Sequence, residues 1–493
     1  MWLMDHQMNI RLSEAFGQYF IRLPLKKSPT VVCGNALRQD WGKVLPSQKC
    51  SYVLGNPPFV GKKARDAQQQ VDMNLVFGDV KGTGVLDYVC CWYLIAARYI
   101  QNTRITVGFV STNSVTQGEQ PGILWPLLFR HFGLKIHFAH RTFAWESEAR
   151  GQAHVHVVII GFGAFDVASK RIYDYESDGE TVLVVAAQNI SPYLIEGGDT
   201  VLQNREQPIS SVPEIQFGNM PNDDGNLILS DDGKRQLLSD APEAEGLVRP
   251  LLSAHEYLHG EKRWCLWLKD TPPQVIRRIG EVRRRVEAVR AYRAASRREA
   301  TQRLAAYPAL FGEIRQPAGP YVLVPRHSSE TRRYIPLSYF EPYYIVSDSC
   351  LFLANASLYH FGVLTSAIHI AWVRTVCGRI KSDYRYSAKL VYNNFPWPEV
   401  PAVKQQTAVE AAAQAVLNAR EKFPGATLAD LYDPLAMPPA LVKTHAELDR
   451  AVELCYRPQP FENERQRVEY LFGLYEKLVA PLIVPAKKKR RKS

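Results

Sequence analysis

The chain has 493 residues, 46% of them hydrophobic and 11% aromatic, and carries a formal net charge of +11. Such a composition excludes an intrinsically disordered chain and leaves room for two to four domains with sizeable cores. No apolar stretch approaches the ~20 residues of a membrane span. The opening "MWLMDHQMNIRLSEAFGQYF" lacks the basic and apolar regions of a signal peptide, so a soluble, cytoplasmic protein without a membrane partner is expected.

Residues 1–165 read as α/β. "PTVVCGNAL" (29–37) and "KCSYVLG" (49–55) are expected as short strands ending at Gly turns. "DYVCCWYLIAARYI" (87–100) has the length and spacing of a buried helix, and "RITVGFVST" (104–112) is a strand. "EQPGILWPLLFRHF" (119–132) is helical in part. "LKIHFAHRTF" (134–143) and "AHVHVVIIGFG" (153–163) pair as an antiparallel hairpin. Strand–helix–strand alternation implies a parallel sheet, with the hairpin adding one antiparallel strand. Further strands fall near "KRIYDYE" and "TVLVVAAQNI", and "GNMPNDDGNLILSDDGK" (218–234) reads as a loop. Aromatic-rich strands mix with helices from about 245 to 400. After "NNFPWPEVP" (393–401) the chain turns Ala- and Leu-rich, a helical domain over 401–480 followed by a basic tail, 481–493.

The positive charge is concentrated. The tail holds six cations between Lys487 and Lys492, and residues 275–303 hold ten Arg against three Glu. Ile276, Ile279, Val282, Val286 and Val289 recur at helical spacing there, so one face is apolar and the arginines cover the rest. A solvated surface helix and a track for phosphates are both consistent with this pattern, and the Arg excess favours the second. Eight cysteines occur without a C-x-x-C pair, which argues against a zinc ribbon and for buried, reduced thiols. His154 and His156 share one strand face, where packing is preferred over metal binding.

"SYVLGNPPFVG" (51–61) carries the chemistry. An aromatic exocyclic amine is a weak nucleophile because its lone pair is delocalised into the ring. Two acceptors placed on its two N–H groups draw the nitrogen toward tetrahedral geometry. Asn56 offers a side-chain oxygen and Pro57 a carbonyl. Pro57 and Pro58 lock φ near −65° and remove competing donors, so the acceptors are aimed in advance. Phe59 offers a flat face for an extruded base, worth roughly 1–3 kcal/mol of stacking. Open α/β sheets bind ligands at the carboxyl ends of their strands, which is where this stretch falls. A plain tight turn after a strand is the competing reading.

This stretch resembles motif IV, (D/N/S)-P-P-(Y/F), of the S-adenosyl-L-methionine-dependent amino methyltransferases, and Asn and Phe at its ends match the N6-adenine group. "GNALRQDW", "GVLDYVCCWY", "FVSTNSVTQGEQ", "HFAHRTFAW", "LYHFGVLTSAIHIAWVR" and "YNNFPWPE" extend the similarity, in one order, to MmeI-type (type IIL) restriction–modification enzymes. The resemblance implies an incomplete class I (Rossmann-like) methyltransferase sheet over 1–165. A mixed α+β target-recognition domain (166–400) and the helical C-terminal domain would follow. By the same resemblance Asn56, Pro57, Pro58 and Phe59 are catalytic and Asn35 meets the cofactor adenine. Asn113 walls the target-base pocket, with Ser111 as its alternative, and Phe143 stacks on the base; ordinary loop and core packing is the competing reading for Asn113 and Phe143. Lys381 and Asp383, two apart on a strand, occupy a specificity position where they can contact both members of one G·C pair, with Arg385 nearby. A solvated turn with a local ion pair is the alternative there, and Arg374 and Arg379 are candidates for phosphate.

The pattern also departs from the family. The family's Gly-rich cofactor loop precedes motif IV, yet only 55 residues precede Asn56 and none forms that loop. No E-x-K of the family's nuclease domain occurs. The expectation is therefore a site-specific adenine-N6 DNA methyltransferase in truncated or split form, acting on double-stranded DNA, with a separate N-terminal polypeptide able to complete it. Alone, its sheet would expose an apolar edge. A DNA-binding specificity module or partner subunit without activity is the alternative. A protein-glutamine methyltransferase would leave the Arg-rich half without a purpose.

Overall fold

The computed structural model describes residues 2–17, 30–145, 155–175, 181–380 and 382–480. His154, Lys381 and the basic tail lie outside the described residues. The first part of the chain runs α1 (Trp2–Phe16), α2 (Trp41–Val44), β1 (Tyr52–Gly55), α3 (Ala67–Phe77), α4 (Cys90–Tyr99), β2 (Thr106–Thr112), α5 (Pro121–Pro126), β3 (Lys135–Trp145), β4 (Val155–Gly163), β5 (Lys170–Tyr175) and β6 (Val182–Ala187). Its six-stranded sheet has the order β1-β2-β4-β3-β5-β6. β1 and β2 are parallel, joined by the α3 and α4 crossover. The expected hairpin forms, with β4 inserted antiparallel between β2 and β3. β5 runs parallel to β3, and β6 returns antiparallel. The sheet is therefore mixed, with two reversed strands rather than one, and it continues to Ala187.

Alternation along β2 buries Val107, Phe109 and Ser111. These pack under α4, where Tyr93 stacks on Phe162 with ring centroids 5.4 Å apart. One expected strand is absent. Residues 30–37 form no ladder, and Val31 and Val32 are exposed. A strand needs a neighbour, and among the described residues none lies alongside; instead the Asn35 side chain accepts from the Leu37 N–H and closes a turn. β1 is consequently an edge strand, with Tyr52 70% and Leu54 79% exposed.

The second part contains β7 (Ile215–Phe217), β8 (Ile228–Ser230), α6 (Asp231–Asp240), β9 (Val248–Leu252), α7 (Ala254–His259) and β10 (Arg263–Leu266). Next come α8 (Pro273–Arg278), α9 (Gly280–Ala294), α10 (Glu299–Arg303), β11 (Tyr321–Pro325), β12 (His327–Ser328), β13 (Ser338–Phe340), β14 (Ile345–Val346) and β15 (Cys350–Ala354). α11 (Leu358–Thr365), α12 (Ala367–Val376), β16 (Gly378–Ile380) and β17 (Asp383–Arg385) complete it. Three small sheets result, β14-β9-β10-β8, β13-β11-β15-β7 and β12-β17-β16. The stretch read as a loop over 218–234 holds β8 and the start of α6, elements too short to show a period.

The basic segment 275–303 is three helices rather than one. Ile279 leaves helical geometry before Gly280, and the chain breaks again ahead of α10. Its apolar stripe is buried as the spacing requires, at Ile279, Val282, Val286 and Val289. Four of its arginines pair with glutamates of the same segment: Arg283 with Glu287, Arg284 and Arg285 with Glu281, and Arg303 with Glu299. Arg293 is wholly buried and donates to the carbonyls of Pro221, Asn222, Leu304, Tyr307 and Leu310. Half of the arginines in this segment are thus committed within the protein.

α13 (Val403–Glu421), α14 (Leu428–Leu431), α15 (Pro439–Tyr456) and α16 (Glu464–Val479) form the helical C-terminal part. Their apolar faces share one core with the preceding part, in which Phe361 and Trp372 meet Val409, Leu448 and Phe472. α11 approaches so closely that a Cβ on Gly362 would lie 2.7 Å from Val409 Cγ1. The sheet of the first part keeps a separate core.

Candidate functional site

The Asn56–Phe59 segment leaves the carboxyl end of β1, where the sheet edge opens. Gly55 precedes it because a Cβ there would sit 3.3 Å from the Phe109 ring of β2. Asn56 and Pro58 are exposed, Pro57 is buried, and Phe59 is half-buried against the core under the sheet. Among the described residues no hydrogen bond engages the Asn56 amide or the Pro57 carbonyl. Both acceptors are free.

Asp87 holds this segment in place, a residue the sequence reading passed over. Its Oδ1 accepts from the Val60 and Val89 N–H groups, both at 3.1 Å, and its Oδ2 from Thr112 Oγ1 at 3.4 Å. The Gln120 side chain accepts from the Asp87 N–H, and the Tyr88 N–H donates to the Val60 carbonyl. One buried carboxylate thereby ties the segment after Phe59, the start of α4 and the end of β2. Burial pushes its carboxyl above the usual range against the hydrogen bonds from Val89, Val60 and Thr112. The available signal was an Asp just ahead of a buried helix, in "GVLDYVCCWY".

Within β2, Ser111 is buried and bonds Tyr93 at 2.7 Å, so it faces the core. Asn113 is half-buried, and its amide nitrogen is fully covered without an acceptor among the described residues. Thr112 pairs with Val157, which pairs with Phe143, so these residues stand level across the sheet. Phe143 is three strand spacings from β1, about 14 Å. Its ring stacks on Tyr175 at 4.7 Å, beside His140 stacked on Tyr173 at 4.2 Å. An aromatic wall therefore stands at the same end of the sheet as Asn56.

Asn35 is exposed, and both ends of its amide are occupied. Its Oδ1 accepts from Leu37 N–H, and its Nδ2 donates to Asp72 at 2.9 Å. Asp72 is buried and also accepts from Tyr88 and Arg38, each at 2.7 Å. Burial raises that carboxyl, but the bonds from Tyr88, Arg38 and Asn35 outweigh it and hold the group below the usual range. Asn35 keeps one N–H for a ligand. No Gly-rich loop stands beside it among the described residues, so these residues fit the acceptor side of a methyl transfer and only a corner of the donor side.

A second surface lies on β12, β17 and β16. Asp383 and Arg385 are exposed on one side of β17 with Tyr384 buried between them, as alternation requires. His327 is exposed opposite Arg385, a neighbour invisible to a local reading. Arg374 and Arg379 do not stand free for phosphate, since Arg374 pairs with Glu464 and Arg379 with Glu330. His156 meets the other oxygen of Glu330. The cysteines are all free thiols, five of them buried.

A half-open mixed sheet with an N-P-P-F turn at its carboxyl edge, joined to a reading unit and a helical end, defines a class I methyltransferase-type chain with an appended recognition part. Family models place it more closely. The MmeI DNA-methyltransferase domain matches residues 1–174, the MmeI target recognition domain 196–399, and the MmeI C-terminal domain 401–483. The chain belongs to the MmeI family. It is similar to DNA methyltransferase A of Bacillus subtilis (strain 168), at 38% identity over 481 residues, covering 97% of this chain and 54% of that protein. It is also similar to the type IIL restriction–modification enzyme MmeI solved in complex with DNA. There the TM-score is 0.80 and the identity 45%, covering 97% of this chain and 64% of that one. The chain thus spans between half and two thirds of the length of these relatives. Their additional length belongs to the same polypeptide, which gives no support to a separate completing chain. No helix among the described residues is long and apolar enough to cross a membrane.

Proposed function

We propose that the chain is a site-specific DNA adenine-N6 methyltransferase, or the methyltransferase and recognition portion of one. Its substrate is double-stranded DNA and its methyl donor S-adenosyl-L-methionine. The observation that carries this reading is the pair of free acceptors at Asn56 and Pro57, held rigid at the carboxyl end of β1 by Asp87. The Asn56 oxygen and the Pro57 carbonyl accept the two N–H groups of an extruded adenine, which concentrates the nitrogen lone pair on the open side. Phe59 stacks on the base, and Asn113, whose covered amide nitrogen has no acceptor among the described residues, walls the pocket. S-adenosylmethionine, when bound, supplies an electrophilic methyl group. The residues of β17, with Lys381 before them, read base edges in the major groove, where Lys or Arg takes guanine and Asp takes cytosine N4. The similar MmeI was solved in complex with DNA, which supports DNA as the ligand of this chain.

Incubating the full chain with duplex DNA and S-adenosylmethionine, then digesting to nucleosides, should yield N6-methyladenine. Asn56→Ala should abolish it while changing duplex affinity by less than about threefold, because only the polarising acceptor is lost. Methylation surviving that substitution would falsify the acceptor role. The second reading, a DNA-reading module inactive by itself, rests on the sparsely built donor side around Asn35. Calorimetric titration with S-adenosylmethionine separates the two: binding in the micromolar range supports the enzyme, and no heat supports the module.

A further inference from the structure

We infer that the contact between the loop after β2 and the β16–β17 hairpin couples base-pair reading to the target-base pocket, with Gln117 and Arg379 as positioning residues. The inference rests on the DNA-methyltransferase reading above and adds the device that links its two ends.

Arg379 sits where four structures meet. Its Nε donates to Gln117 Oε1 at 3.0 Å, reaching 262 residues back along the chain. Its Nη1 donates to Glu330 Oε2 at 2.6 Å and to the Ser382 carbonyl at 3.0 Å. Its guanidinium lies over the Tyr384 ring, 4.6 Å from the centroid. Ser382 separates Lys381 from Asp383, the pair assigned to reading, so any shift of the hairpin tip on meeting a base pair moves an acceptor of Arg379. Glu330 passes the contact on to His156 of β4 at 3.1 Å. Gln117 lies four residues after Asn113, and its Nε2 donates to the Arg374 carbonyl at 3.3 Å.

The backbones also touch. The Gly118 N–H donates to the Val376 carbonyl at 3.1 Å. Gly118 has φ +68°, and a Cβ on it would stand 3.1 Å from the Gly378 Cα, so any other residue there is strained and crowds the hairpin. The junction is polar. The sheet and the reading unit keep separate apolar cores, and beside Arg379 lies a cavity of about 300 Å³ lined by Arg141, Asp174, Glu330 and Glu464 among others. Directional hydrogen bonds, not close-packed side chains, therefore set the distance between the reader and the base pocket. Such bonds switch between discrete partners more readily than a packed core deforms.

The test uses the full chain and a duplex it selects from a randomised pool, with 2-aminopurine replacing each adenine in turn. Extrusion of the target base raises the fluorescence at one position, and no cofactor is needed. Gln117→Ala and Gly118→Ala should bind the selected duplex within about threefold of wild type while the extrusion signal falls about tenfold or more, a coupling loss of ordinary allosteric size. Equal extrusion in wild type and both variants overturns the inference and leaves the methyltransferase reading standing. Parallel loss of affinity and extrusion in both variants also overturns it, because the contact would then merely support the reader. A wild-type chain that selects a duplex but extrudes no base removes the methyltransferase reading itself.

Discussion

At the scale of single residues, the site depends on which polar groups the protein uses up and which it leaves free. Asn56 and the Pro57 carbonyl are free, whereas Asn35, Ser111, Arg374 and Arg379 are largely committed. The position and stiffness of the N-P-P-F segment were legible in sequence because two prolines fix their own backbone, and the chemistry proposed for it rests on that stiffness. The commitment of the other four was not, since apart from the local bond of Asn35 to the Leu37 N–H their partners Asp72, Tyr93, Glu464 and Glu330 stand 18 to 90 residues away. Asp383 is exposed on the same side of β17 as Arg385, which pairs with His327, on the face proposed to read base edges. Reversing Lys381 and Asp383 together, as Lys381→Glu with Asp383→Arg, should change the base preferred at one position by roughly 1–3 kcal/mol and leave overall affinity nearly constant. Duplex selection with the double variant checks this, and an unchanged consensus would take the pair out of the reader.

At the scale of elements, the long periodic segments formed where their patterns placed them. α4, β2 and the β3–β4 hairpin follow from apolar spacing, and the helical stretch expected over 401–480 holds α13 to α16. The failures are short or conditional. The expected strand over 29–37 lacks a neighbour, and the basic helix breaks where Ile279 turns inward. The junction of α15 with the reading unit carries a titration signature. Burial lifts the Asp449 carboxyl from 3.8 to about 6, outweighing the hydrogen bonds from Tyr334 and the Ala367 N–H and the pull of Arg333 and Arg467. The folded state then keeps a proton that the unfolded chain has released. Stability attributable to this group is highest below 3.8, declines as pH rises to about 6, and is level above it. Asp449→Asn retains an acceptor for Ala367 and loses the titration. Relative to that variant, wild type should lose on the order of 3 kcal/mol across this window, read from denaturant midpoints at several pH values. Parallel curves for the two proteins would exclude Asp449 as the source.

At the scale of the molecule, the two largest apolar cores meet through a polar junction, and among the described residues no strand pairs the outer side of β1. Exposed Tyr52 and Leu54 on an unpaired edge invite strand pairing between copies. Leu54→Lys should reduce concentration-dependent association in sedimentation experiments without lowering the unfolding midpoint, since little of Leu54 is covered. Unchanged association would show that other surfaces are responsible. The net charge of +11 favours a polyanion at long range, and of the 275–303 arginines Arg293 is withdrawn into the interior while the paired Arg283, Arg284 and Arg303 stay more than half exposed.

The order of residues alone singled out Asn56–Phe59 as the proposed acceptor cradle and specified the mixed character of the chain and its helical end, because these follow from dihedral limits and periodicity within a few turns of backbone. Only the folded arrangement revealed Asp87 as the clamp on that cradle, placed His327 beside Arg385, and joined Gln117 to Arg379 across 262 residues. Hydrogen bonds between distant segments depend on where the whole chain brings them, and no local pattern encodes that meeting.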